Sequence, residues 1–246
     1  MNEEGNQQAV PSAGMPQGMP KGIWNAHVFQ IFNTLSFSIV TGTHMVLYFK
    51  FLGATATVLG IVTALPNLLN VLQIPAASFV DRVGYKNFVL RGWTARTFVI
   101  LGIAVVPLLA FTLTPTSSMM LMLFLLFAYN ASRGISACGF LPWMTHLVPE
   151  GVRGTFVSRD QACGAVASFA TLFGSVLLFR HAHGNLPYAI AFATAFVGGM
   201  ASLSFLRKIP DVPVPAESRS KERVPWREMI VYPPFLKLLV YNVVVN

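Results

Sequence analysis

The sequence predicts an all-α integral membrane protein built as a six-helix transmembrane bundle, and three observations lead there. Hydrophobic residues make up 54% of the 246 positions and Asp, Glu, Lys and Arg only 11%, against about 25% charged residues in soluble domains. Too few polar side chains remain to cover a soluble surface. Apolar runs of about 20 residues, the length that crosses a bilayer, recur along the chain, and the basic residues gather in alternate connections between them.

Residues 1–20 are rich in Gly, Pro, Gln and Met. They lack the basic start and apolar core of a signal peptide and read as a disordered cytoplasmic tail. The bundle occupies 21–206, with segments at 24–49, 56–80, 92–113, 119–146, 161–180 and 187–206. Residues 207–232 form a charged, Pro-containing cytoplasmic linker. Residues 233–246 read as the start of a seventh helix, so the chain is expected to be a piece of a longer protein.

The net charge of +8 does not point to nucleic acid, because the basic residues sort by connection. Arg82, Lys86, Arg91, Arg153, Arg159, Arg207, Lys208, Arg219, Lys221, Arg223 and Arg227 follow even-numbered segments, and Lys21 precedes the first. The other side has Lys50 and Arg180. Lysine and arginine favour the cytoplasmic side, which places the N-terminus in the cytoplasm. The expected location is the plasma (inner) membrane, with the lipid bilayer as a partner. Trp24, Trp93, Trp143 and Trp226 fall near the same ends, as interfacial anchors do. Cys138 and Cys163 have no metal-type spacing and read as inert small residues.

Polar side chains in a membrane should face protein or a water-filled cavity. In the first segment Gln30, Thr34, Phe37, Thr41 and His44 step by three and four onto one helical face, with Asn33 beside them. The second carries Gly60, Thr63, Asn67 and Asn70, and the fourth Tyr129, Asn130, Arg133 and Ser136. The fifth carries Gln161, Gly164, Ser168, Thr171 and Ser175. The third and sixth have nearly bare middles, their polar groups (Thr94, Arg96, Thr97; Ser202, Ser204) near the cytoplasmic end. Small and hydroxyl residues also mediate helix packing, but four stripes together favour a cavity. Polar, polar, apolar, repeated once, is a repeat of three helices. Three is odd, so the repeats are inverted, a signature of secondary transporters. Pro66 and Pro75 are expected to kink the second segment.

The connection after the second segment, Ala77-Ser78-Phe79-Val80-Asp81-Arg82-Val83-Gly84-Tyr85-Lys86, resembles the signature loop of the major facilitator superfamily, Gly-x-x-x-Asp-Arg-x-Gly-Arg-Lys. Asp81, Arg82, Gly84 and Lys86 match; Ala77 and Tyr85 depart. Arg133 with Gly139, and the loop Pro149-Glu150-Gly151-Val152-Arg153-Gly154, are similar to other elements of that family. The resemblance covers the chain from Trp24 on. It implies the N-terminal half of a major-facilitator fold, with a central cavity lined by the first, second, fourth and fifth segments, the third and sixth peripheral, and a C-terminal six-helix half as partner. It also implies that Asp81 meets a helix N-terminus of that other half in one state of the transport cycle, while Gly84 allows a tight turn.

Arg133 is the sharpest single residue. No acid lies in the membrane core of these segments, and Asp160 sits at the edge of the fifth. A guanidinium at that depth must face water, a carbonyl, an anion or an acid elsewhere, and it is expected to point between the first and fifth segments, towards Asn33, Thr34 and Ser168. His44 and His27 share the first segment's face and either titrate or simply line it. The expected function is a secondary transporter or facilitator of a small solute, with an anion suiting Arg133, and not an enzyme: His181 and His183, the only close histidine pair, have no carboxylates beside them. The alternatives are a non-transporting receptor or scaffold of the same fold, and a membrane-embedded enzyme. No cofactor or metal is expected.

Overall fold

A computed structural model describes residues 22–212, 232–234 and 237, without the Asp81 side chain. The 1–20 tail, most of the 207–232 linker with Trp226, and nearly all of the seventh helix lie outside the described residues. Everything regular among them is helical. The helices are α1 (Trp24–Thr41), α2 (Thr43–Phe51), α3 (Ala56–Leu68), α4 (Gln73–Val83), α5 (Tyr85–Val105), α6 (Pro115–Leu147), α7 (Glu150–His181) and α8 (Leu186–Lys208). Among the described residues, five units are long and apolar enough to cross a membrane: Ala56–Val80, Tyr85–Phe111, Pro115–Leu147, Glu150–His181 and Leu186–Lys208. The chain is therefore a multi-pass membrane protein by length and composition. The expected first segment is not among the five. It is broken at Gly42, and α1 carries Asn25, His27, Gln30 and Asn33 among its apolar residues. A Cβ at position 42 would run into the Ser38 carbonyl oxygen.

Local chemistry sets the other breaks. Thr55 and Thr114 cap α3 and α6, accepting hydrogen bonds from Val58 N (3.5 Å) and Ser117 N (3.2 Å), and Pro115 takes the first position of α6, where no donor is missed. The second segment loses α-helical form over the 3₁₀ turn Leu69–Leu72, between Pro66 in the last turn of α3 and Pro75 in the first turn of α4. The expected kink is thus a short 3₁₀ stretch. Gly84 turns the chain between α4 and α5 in one residue at φ +85°, a conformation that costs other residues more.

Three boundaries correct the sequence reading. α5 begins at Tyr85, seven residues before the expected position, so Lys86 and Arg91 are helical. α6 and α7 have 33 and 32 residues, about 50 Å each at 1.5 Å per residue, well beyond a hydrocarbon layer of about 30 Å. The expected loop at Pro149–Gly154 is mostly the first turn of α7. Arg153 there donates to the carbonyls of Thr145 (2.9 Å) and Val148 (3.4 Å), satisfying acceptors at the end of α6.

By contacts, the segments follow one another across the bundle as α7, α1, α8, α5, α6 and then the α3–α4 segment. Burial follows this order: 50% of the α8 window and 39% of the α5 window are inside, against 17% for α7 and 11% for α3–α4. The third and sixth segments form the middle of this six-segment unit. Two apolar clusters fill it. Phe29, Trp93, Trp143 and Leu206 belong to one, and Tyr48, Ile100, Met122, Tyr129 and Phe192 to the other. Trp93 and Trp143 are thus core residues and not interfacial anchors, and Trp143 Nε1 donates to Pro210 O (3.1 Å). Trp24 alone of the described tryptophans is exposed.

Candidate functional site: two guanidinium groups inside the bundle

Between the apolar clusters, α1, α5, α6 and the 3₁₀ turn converge on Arg96 and Arg133. Arg96 is the twelfth residue of α5, about 16 Å from its start at helical rise. Only 3% of it is exposed, so it cannot snorkel out of the bundle. Its Nη2 donates to Asn33 Oδ1 on α1. Its guanidinium lies 4.4 Å from the Trp93 ring centroid, one turn back on the same helix, and 5.8 Å from that of Tyr129 on α6. Both rings offer electron-rich faces to a cation. Arg96 Nε and the Tyr129 hydroxyl are buried without hydrogen-bond partners.

Arg133 lies one turn beyond Tyr129 on α6. Its Nη1 donates to Asn70 Oδ1 (3.2 Å) and to Pro66 O (3.4 Å), and its guanidinium stands 4.9 Å from the Phe37 ring. Pro66 falls in the last turn of α3, where carbonyls lack donors from a following α-helical turn. The neighbouring Gly134 makes this contact possible: a Cβ there would strike the Leu69 carbonyl, so only glycine lets the two backbones approach so closely. Arg133 thus reaches the second segment and Phe37, not Asn33, Thr34 and Ser168 as expected. Asn33 is the partner of Arg96 instead.

The site therefore carries two positive groups with neutral partners. Among the described residues the one close approach of a basic to an acidic side chain is His27 Nδ1 to Asp160 Oδ1 (3.5 Å), at the start of α1. Like charges in a weakly polar interior repel and are costly without a counter-charge.

The remaining sequence-selected residues scatter. Gln30 and Thr34 face Gly164 on α7. Thr41 and Thr63 return their hydroxyls to their own helices, at Phe37 O and at Leu59 O and Gly60 O. Ser136 is buried against Gly92 of α5, bonded back to Ser132 O (2.8 Å), so it is a packing residue. Asn67 is half-buried and Ser168 exposed. His44 Nε2 meets Ser175 Oγ (2.5 Å) and, with Thr171, lines a separate recess. In the signature stretch, Ala77 and Arg82 are exposed and Lys86 half-buried; the Asp81 side chain lies outside the described residues.

Arg96 is the residue that sequence reasoning missed. Beginning α5 at residue 92 put it near a helix end, where a charge is ordinary. The signal was present: an arginine with Thr94 and Thr97 inside an apolar run, as deep in its helix as a membrane charge with a task would be. No protein-family model matches the chain, and neither does any curated protein or solved structure.

Proposed function

We propose that this chain forms part of a secondary transporter or facilitator that moves a small anionic solute across a cell membrane by alternating access. The observation that carries the proposal is the pair Arg96 and Arg133, held in mid-bundle on neutral partners, two donors of the fork type that suits carboxylate or phosphate. Charged groups inside a membrane bundle are expensive and are kept where a pathway needs them.

The helix order supports an inverted repeat within a major-facilitator architecture. Exchange the first segment with the fourth, the second with the fifth and the third with the sixth. The order α7, α1, α8, α5, α6, α3–α4 then reads the same backwards, as two inverted halves require. The little-buried faces of α3–α4 and α7 leave room for a second six-helix half as partner. The basic residues place the N-terminus in the cytoplasm, with the plasma membrane as the location.

Uptake tests the function. Membrane vesicles from cells expressing the gene product should accumulate at least one of a panel of labelled small carboxylates and phosphates. Arg133→Ala should abolish uptake at equal membrane content, and Arg133→Lys, which lacks the planar fork, should do nearly as much damage. Undiminished uptake in Arg133→Ala would refute the assignment. Orientation is tested by single cysteines and an impermeant thiol reagent on intact cells: positions 50 and 180 should label, and 86 and 153 should not.

A further inference from the structure

α7 and α8 both pack on α1 but barely touch one another, and between them lies a recess of about 330 Å³. Along α7 it stretches from Ala170 to Leu178, about 12 Å at helical rise. Its end at Leu178 and Ile190 stops about 5 Å short of the helix ends at His181 and Leu186. Arg180, His181, His183 and Asn185 there mark where polar surroundings begin. The recess therefore runs about 5–17 Å below that level, which is the depth of one hydrocarbon leaflet, half of about 30 Å.

Leu35, Ile39, Leu178 and Ile190 make its walls apolar. The hydroxyls among them donate within the protein: Thr171 to Ala167 O (2.7 Å), Ser175 to Thr171 O (2.5 Å) and Thr194 to Ile190 O (2.9 Å). Such back-bonding is how these residues sit in membrane helices. Their oxygens keep acceptor capacity, but no hydroxyl proton is unused. Burial fixes the way in. Ile39, Thr171 and Ala191 are buried, whereas Ala170, Gly174, Ile190 and Thr194 are exposed, so the recess is closed towards α1 and opens sideways between α7 and α8. Val166 and Phe173 of α7 and Val197 of α8 stand exposed outside it. The mouth thus opens onto hydrocarbon and not onto water.

We propose that one acyl chain of a bilayer phospholipid occupies this recess as a fixed part of the folded protein, supplying the contact that α7 and α8 do not make with each other. Width selects the occupant. The volume spread over the length gives a slot about 6 Å across. That is too narrow for another helix, about 10–12 Å wide with its side chains, and wide enough for a single hydrocarbon chain. Apolar cavities stay free of water and take up hydrocarbon, and an empty slot would forgo dispersion contacts on both walls. The proposal needs only the membrane-spanning character of α7 and α8. It stands apart from the arginine pair and from the transport reading.

Methyl NMR on the chain in dimyristoylphosphatidylcholine nanodiscs tests it, with the protein deuterated except at isoleucine δ1 methyls and the lipid protonated in its acyl chains alone. Ile39 lines the recess but is only 3% exposed, Ile100 in the core is 0% exposed, and Ile61 on α3 is 45% exposed. Ile39 should show acyl-chain cross-peaks comparable to those of Ile61, and Ile100 should show none. In Gly174→Leu the Ile39 cross-peaks should vanish while those of Ile61 remain. Gly174 lines the recess, and a Cβ there meets nothing within 4 Å, so leucine fills the slot without disturbing the fold, which an unchanged melting temperature verifies. Ala170→Leu, on the same wall, takes its place if the melting temperature falls. An Ile39 methyl as silent as Ile100, water cross-peaks at Ile39 in place of acyl ones, or Ile39 cross-peaks that persist in a stable filled variant would each overturn the proposal.

Discussion

The second segment and α7 stand at opposite ends of the helix order and are the two least buried spans, yet they are fastened differently. The second segment is interrupted at Leu69–Leu72, and there its backbone lies against α6 at Gly134, with Arg133 bonding the Pro66 carbonyl and Asn70. α7 is an unbroken helix of 32 residues. Its links to α1 and α2 are side chains: Asp160 to His27, Ser175 to His44, and Gln30 and Thr34 over Gly164. Side-chain links can change rotamer or partner while the helix stays intact. A backbone contact cannot relax without moving a whole segment. The comparison teaches that exposure alone does not measure how firmly a span is held, and it makes α7 the end of the bundle that shifts at lower cost.

The largest effect should separate two glycines. In Gly134→Ala the new Cβ runs into the Leu69 carbonyl, so the second segment must move away from α6. Overpacking of this kind costs about 1–3 kcal/mol or more. In Gly164→Ala the new Cβ sits 3.5 Å from Gln30 Nε2 and Thr34 Oγ1, an ordinary contact, and replacing a helical glycine by alanine gains up to about 1 kcal/mol. Thermal melting of the detergent-purified variants, read by fluorescence-detected gel filtration, should show a clear loss for the first and none for the second. Equal losses would show that both ends are fastened alike.

Part of this contrast is legible in the sequence. Pro66 and Pro75 announce an interruption, Gly84 a tight turn, and Arg133 a charge that needs a partner. Helical periodicity says which residues share a face but not which neighbour that face meets. Gln30, Thr34, Phe37, Thr41 and His44 therefore read as one cavity stripe, whereas the structure divides them among α7, Arg133, the recess beside α8 and, for Thr41, a carbonyl of its own helix. Hydropathy finds the stretch inside the bilayer and misses helix that continues past it. Glu150, Arg153, Arg159 and Asp160 look like loop, although backbone hydrogen bonds hold them in helix regardless of charge. The same error at Tyr85 hid Arg96. Gly134 gave no warning, because its role depends on a carbonyl more than sixty residues earlier in the chain.

A middle-sized effect should come from Arg133 and Asn70. In a double-mutant cycle with Arg133→Met and Asn70→Leu, the coupling should be about 1.5–3 kcal/mol, the range for a hydrogen bond to a charged group. Unfolding monitored in mixed micelles reads it. A coupling near zero would shift the fastening of the second segment onto backbone, at the Gly134 contact and the Pro66 carbonyl, and sharpen the contrast with α7.

The smallest effect belongs to His27 and Asp160. The His27 ring is buried and the Asp160 side chain 22% exposed, and the atoms are 3.5 Å apart, longer than a good hydrogen bond, so Asp160→Asn, which keeps the size and polarity of the side chain, should cost less than about 1 kcal/mol. The imidazole has a second role: its ring lies 4.8 Å from that of Phe156 on α7 and 5.9 Å from that of Trp24. His27→Phe keeps this packing and loses the polar contact to Asp160, so it should cost no more than Asp160→Asn. His27→Ala removes both and should cost more than either, as truncation of a buried ring does. If His27→Phe and His27→Ala were equally damaging, the link would be ionic and not a packed ring. α7 would then be fastened at its α1 end by a charge that salt can weaken, and raised ionic strength should loosen α7 while leaving the second segment in place.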